Sequence, residues 1–161
     1  MKEISVTHEM LEDAKKKASE MGRIKNSITK GDGNIAGFLG EFLCVSLISN
    51  SKISNTYNYD IVSGDKLIDV KTKRTKVKPK AYYDCSIASL STHQKCSHYV
   101  FTRVLYDCSK AWILGWMSKE EYFNRARFLE KGERDGDNGF IVKADCYNLP
   151  IKDLYEISSL K

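Results

Sequence analysis

A mixed α/β domain with a sheet at its centre, flanked by helices, is the fold class this sequence predicts. Two helical patterns open the chain, two pairs of β-branched and aromatic runs fill its middle, and a capped helix follows them. The chain has 161 residues, 42% of them hydrophobic, which suits one domain with a real core. No internal repeat or linker interrupts it, so residues 1–161 read as a single domain.

The elements follow in order. Residues 7–21, "THEMLEDAKKKASEM", predict an amphipathic helix with Thr7 as N-cap and a narrow apolar stripe of Met10, Leu11, Ala14 and Ala18. "GRIKNSITKGDGN" is a loop rich in Gly, Asn and Ser. Residues 34–49, "NIAGFLGEFLCVSLIS", are apolar nearly all round and predict a buried helix. "TYNYDIV" and "KLIDVKTK" read as two strands around the turn "SGD". "YDCSIA" is a third strand, and "SLSTHQKC" a short helix or loop. "HYVFTRVLY" and "KAWILGWM", joined by "DCS", form a second strand pair. Strand alternation places Trp112 and Trp116 on one face, in the core. "SKEEYFNRARF" starts a helix, with Ser118 and Glu121 at capping-box spacing. After the charged loop "LEKGERDGDNG", "FIVKADCYNL" reads as a late strand and "PIKDLYEI" as a short helix opened by Pro150.

Composition removes several classes. No apolar run reaches the ~18 residues of a membrane span, and "MKEISVTHEM" lacks the apolar core of a secretory signal, so a cytoplasmic location is expected. The five cysteines (Cys44, Cys85, Cys96, Cys108 and Cys146) are odd in number and scattered, without a C-x-x-C pair. That spacing supports neither a zinc site, a disulfide framework nor an iron–sulfur cluster, and leaves buried thiols. The net charge is +5, and residues 71–80, "KTKRTKVKPK", hold six bases and no acid. Such a run is either a solvated lysine loop or a rim that neutralises phosphates; what lies beside it decides.

What lies beside it is a set of isolated acids. Glu41 is the only charged residue between Asn34 and Asn50, flanked by Gly37 and Gly40. A lone acid on an apolar helix is costly unless it is paired, ligates a metal or faces water at the helix edge. If "SGDK" turns the chain, Asp60 lies near Asp69 across an antiparallel pair. On the Asp69 strand Ile68, Val70 and Thr72 face one way, while Asp69, Lys71 and Lys73 face the other, about 6–7 Å apart at each step. Like charges close together on one sheet face repel, and a hard divalent cation relieves that repulsion. Glu41, Asp60 and Asp69 are therefore candidate oxygen ligands. Lys71 is placed to face the same phosphate, and the basic run leads away from it.

Taken together, the acid in "GFLGEFL", the aspartate in "YNYDIV" and the "IDVK" stretch resemble the PD-(D/E)xK nuclease superfamily, whose fold is the restriction-endonuclease-like core. The resemblance covers roughly residues 34–73, and "QKCSHYVFTRV" looks like the strand and preceding helix that complete that core. The chain is similar to small phage-encoded members, which would place it in a host cell's cytoplasm. Residue by residue, the resemblance implies Asp60 and Asp69 as Mg2+ ligands, with Mn2+ as a substitute, Lys71 as the catalytic lysine and Glu41 as an auxiliary metal or water ligand. Gln94 stands where some exonuclease-like members carry a glutamine near the substrate. The tyrosine expected four residues later is replaced by His98, and Tyr59 precedes Asp60 where the pattern has proline. Small members of this fold often act as homodimers, including on DNA junctions.

The expected activity is hydrolysis of phosphodiesters in DNA, as an endonuclease that can be structure-specific. The rivals are an exonuclease and a non-catalytic nucleic-acid-binding module of the same fold. Lys73, Arg74, Lys76 and Lys78 are the expected phosphate contacts, and Tyr82, which follows the basic run, is the candidate for base stacking. No spacing ties His8, His93 or His98 to the acids.

Overall fold

The computed structural model describes residues 1–21, 34–54, 56–135, 139 and 141–160. The chain begins with strand β1 (Lys2–Ser5) and helices α1 (His8–Met21) and α2 (Asn34–Leu47). Strands β2 (Ser51–Ile53), β3 (Ile61–Ser63), β4 (Lys66–Thr75), β5 (Asp84–Ala88), β6 (His98–Leu105) and β7 (Lys110–Ser118) follow. Helix α3 (Lys119–Arg125) and strands β8 (Arg127–Leu129) and β9 (Cys146–Pro150) complete it. A six-stranded sheet runs β1-β7-β6-β4-β3-β2, and a separate three-stranded sheet runs β5-β9-β8. Among the described strands of the large sheet, β4 and β6 pair in parallel and the other neighbours antiparallel, so the sheet is mixed. The α/β class is thus the observed one.

Two cores sandwich the large sheet. On one face α1 and α2 pack against Ile61, Ile68, Val100, Val104 and Ile113. On the other, Tyr99, Phe101, Trp112 and Leu114 meet Cys85 and Ile87 of β5, Leu149 of β9 and Tyr122 of α3. The expectation of α2 as a buried helix holds, with Phe38, Leu39, Leu43 and Cys44 all buried. The Thr7 cap holds too, since its Oγ1 accepts from the Met10 N–H at 3.2 Å.

β5, the expected third strand, forms, and it pairs with β9 in the second sheet, beside β8. The segment before β6 is a short helix and loop, as expected: a single 3-10 turn, Ser89–Ser91, followed by irregular chain. Several expectations are corrected. The "YNYDIV" strand begins only at Ile61, because the chain before it is held by a Thr56 side-chain turn: Thr56 Oγ1 accepts from Asn58 and Tyr59 N–H groups. Helix α3 stops at Arg125, earlier than expected, because Ala126 turns extended and Arg127–Leu129 pair with β9. Ser118 Oγ does accept from the Glu121 N–H at 3.3 Å, but the Glu121 carboxylate turns to Arg125 and to the Tyr155 hydroxyl. The late strand starts at Cys146, and after Pro150 the chain makes a 3-10 turn, Ile151–Asp153.

Trp112 and Trp116 lie on opposite faces, one in each core, and not on one. A bulge in β7 explains it: Phe101 pairs with Gly115 but Thr102 with Ile113, so one extra residue reverses the alternation. Strands β1 and β2, the two sheet edges, were not foreseen. Most of the "GRIKNSITKGDGN" loop lies outside the described residues, as does part of "LEKGERDGDNG". All five cysteines are free thiols, with Cys44, Cys85 and Cys96 buried. No helix among the described residues is long and apolar enough to cross a membrane.

Candidate active site

The β3–β4 hairpin turns through Gly64, whose φ of 60° lies in the left-handed region that glycine adopts at low cost. Its register pairs Ile61 with Ile68 and Ser63 with Lys66. One step further the ladder frays. The Asp60 N–H still donates to the Ile68 carbonyl at 2.9 Å, but beyond it the side chain takes over: Asp60 Oδ2 accepts from the Val70 N–H at 2.7 Å. The carboxylate thus caps the edge of β4 that β3 leaves open, and it is held beside Asp69.

Glu41 reaches the same place from α2. The close approach of that helix to the sheet depends on Gly40, where a Cβ would overlap Thr72 Oγ1 and stand 2.7 Å from Thr102 Oγ1. Those two hydroxyls are themselves hydrogen-bonded at 2.7 Å across β4 and β6.

The three acids act on one another. Burial, then the Asp69 charge, raises the Glu41 pKa to about 7. Burial, then Asp69 and Glu41, pushes Asp60 well above the usual carboxylate range, against the opposing Val70 hydrogen bond. Two carboxylate oxygens, Glu41 Oε2 and Asp69 Oδ2, are buried without a hydrogen bond. Asp69, 4% exposed, takes its compensation from Lys71, whose Nζ makes an ion contact with Oδ2 at 2.6 Å. Among the described residues, no three His, Cys, Asp or Glu side chains form a ready-made metal-holding group.

Lys71 is also held from a second side. Its Nζ donates to Gln94 Oε1 at 3.0 Å, while Gln94 Nε2 donates to the Tyr57 carbonyl at 2.9 Å. The Lys119 ammonium donates to the Gln94 carbonyl. Gln94, singled out through the resemblance alone, thus positions the lysine directly.

Glu41, Asp60, Lys71 and Lys73 line one cleft of about 560 Å³, together with Arg103. Lys73 is exposed at the cleft mouth, and partial desolvation there, then the nearby Arg103 guanidinium, lower its pKa. The rest of the basic run disperses. Arg74 alternates to the other face of β4, where it stacks on the Tyr106 ring at 4.4 Å and donates to the Tyr106 carbonyl at 2.8 Å. Lys76 and Lys78 lie exposed in the loop beyond β4, with Lys78 3.4 Å from Glu3. Tyr82 is 64% exposed and borders a second cavity. The four expected phosphate contacts therefore do not make one patch.

Arg103 is the residue that sequence reading missed. It is 7% exposed on β6, facing the cleft. Its signal was the one used for Glu41, a single charge within an apolar run, here "HYVFTRVLY". His8 and His93 are exposed, and His98 packs on Trp116 at 5.6 Å. No protein-family model matches this chain, and no curated protein matches it.

Proposed function

We propose that this chain is a Mg2+-dependent endonuclease of restriction-endonuclease-like fold that hydrolyses phosphodiester bonds in DNA. One observation carries the reading: three carboxylates from α2 and the β3–β4 hairpin act on one another beside a lysine, with Glu41 Oε2 buried without a hydrogen-bond partner and Asp69 Oδ2 met by Lys71. Such oxygens are expensive to bury, and hard oxygen donors suit Mg2+ or Mn2+. Carboxylate oxygens are the donor type such an ion takes, and the three side chains would have to close on it from positions that form no ready-made group among the described residues. The order of helical acid, hairpin aspartate, D-x-K strand and completing strand, here α2, β3, β4 and the parallel β6, supports the fold assignment.

Glu41, Asp60 and Asp69 would hold the cation. When bound, it supplies charge stabilisation on phosphoryl oxygens and lowers the pKa of water. Lys71, oriented by Gln94, places a fixed positive charge where the phosphate gains negative charge, and that charge is effective because it is already in position. Lys73 and Arg103 give the cleft the cations that receive neighbouring phosphates. A homodimer would present two such clefts to two strands.

A second reading has its own support. Lys71 already compensates Asp69, and the acids form no ready-made metal group; both suit a DNA-binding module without catalysis. Incubation with supercoiled, linear and branched DNA, with and without Mg2+, separates the two. Mg2+-dependent nicking is expected. Binding without cutting of any form, together with no heat on Mg2+ titration, would leave the binding module.

A further inference from the structure

The second cavity, about 870 Å³, lies against the three-stranded sheet and falls within the size range of small-ligand pockets, about 300–1,000 Å³. It is continuous with the cleft: Lys73, Asp84, Ser86 and Arg103 line both. Its wall carries two adjacent tyrosines, Tyr82 and Tyr83, with ring centroids 5.2 Å apart and edge to face. The Arg103 guanidinium lies 5.2 Å over the Tyr83 ring and donates to the Asp84 carbonyl at 2.9 Å, so a buried cation is fixed at the neck. Lys143 and Lys152 add positive charge at the wall, whereas the two acids there, Asp84 and Asp135, are both bridged to Arg127, at 3.1 and 3.3 Å.

Aromatic rings in a wall where Lys73, Arg103, Lys143 and Lys152 outnumber Asp84 and Asp135, opening from the proposed cutting cleft, match one kind of occupant. We infer that this cavity takes up a single unpaired nucleotide of the DNA, its base stacked against Tyr82 and its phosphate between Lys73 and Arg103. The inference rests on the nuclease reading and names its substrate: DNA with an unpaired nucleotide beside the site of cutting. A duplex holds its bases in the stack, so only an unpaired nucleotide enters without the cost of extrusion.

The test is the affinity of the full chain, without divalent metal, for a labelled duplex carrying one unpaired nucleotide and for the fully paired duplex of the same sequence. Wild type should bind the first about tenfold tighter or more, the scale of one base–aromatic stack. Ala144→Trp, which fills the cavity from its wall, should abolish that preference and leave affinity for the paired duplex unchanged. Tyr82→Ala, at an exposed position that does not threaten folding, should reduce the preference as well. Equal wild-type affinity for the two duplexes, or a preference that survives in both variants, overturns the inference. If the paired duplex is still cut with Mg2+ in that case, the nuclease reading stands alone; if wild type binds neither duplex, both fall.

Discussion

Replacing Asp69 with asparagine keeps the side-chain size and removes the charge that draws a cation. Asp69→Asn should lose cleavage and Mg2+ binding together. Lys71→Ala keeps the carboxylates and should lose about 10²–10³ in rate while still binding Mg2+. Calorimetric titration and a plasmid-nicking assay on both variants check this; cleavage that persists in both would move the active site elsewhere. Glu41 offers a pH signature in metal-free protein. Its carboxyl holds a proton to about pH 7 when folded, against an ordinary 4.5. The folded state therefore binds more protons between those values, and stability falls as pH rises through that window. Glu41→Gln removes the penalty, so it should exceed wild type above pH 7 and match it below pH 4.5. The full shift corresponds to at most about 3 kcal/mol. Urea unfolding with a chelator present, followed across this range, measures it, and a pH-independent difference would contradict the burial of that charge.

At the scale of elements, the seat of α2 on the sheet decides whether Glu41 reaches the hairpin. Gly40→Ala would drive a methyl into the Thr72–Thr102 hydroxyl pair. Overpacking of this kind costs about 1–3 kcal/mol, and the resulting shift of α2 should also lower cleavage. Gly37, three residues earlier on the same helix, has nothing within 4 Å of a built Cβ. Gly37→Ala should therefore stabilise, by up to about 1 kcal/mol from helix propensity. Thermal melts of the two variants should move in opposite directions. Thr72→Ala should recover part of the Gly40→Ala loss, because it removes the atom that collides; absence of recovery would place the cost elsewhere.

For the whole molecule, the net charge of +5 is less informative than where the charges point. Strand alternation sends Lys71 and Lys73 into the cleft and Arg74 to the opposite face, against Tyr106. Salt dependence of DNA binding separates these roles. Lys73→Ala should reduce the log–log slope by about 0.9, the value for one phosphate contact on duplex DNA. Arg74→Ala should leave the slope unchanged and lower the melting temperature through loss of the Tyr106 stack. Equal slope changes in the two variants would mean that the basic run acts as one diffuse patch.

Local chemistry was readable from the sequence because its rules act over a few residues. The Thr7 and Ser118 caps, the apolar helix around Leu39, and the turn at Gly64 each depend on neighbours in the chain. So did the proximity of Asp60 to Asp69, since a two-residue turn fixes the register of the strands it joins. The Glu41 reading needed one further step, the cost of a lone charge among apolar residues. Other features depended on partners far away in sequence. The Leu114 bulge that parts Trp112 from Trp116 appears only where β7 meets β6. β5 joins a separate sheet because β9, some sixty residues later, supplies its hydrogen bonds. Gln94 reaches Lys71 and Arg103 reaches the cleft because β6 packs parallel to β4, a pairing that no local signal encodes. Short-range sterics and solvation set the elements and the acids, whereas long-range hydrogen bonding between strands chose which cations and aromatic rings would stand beside them.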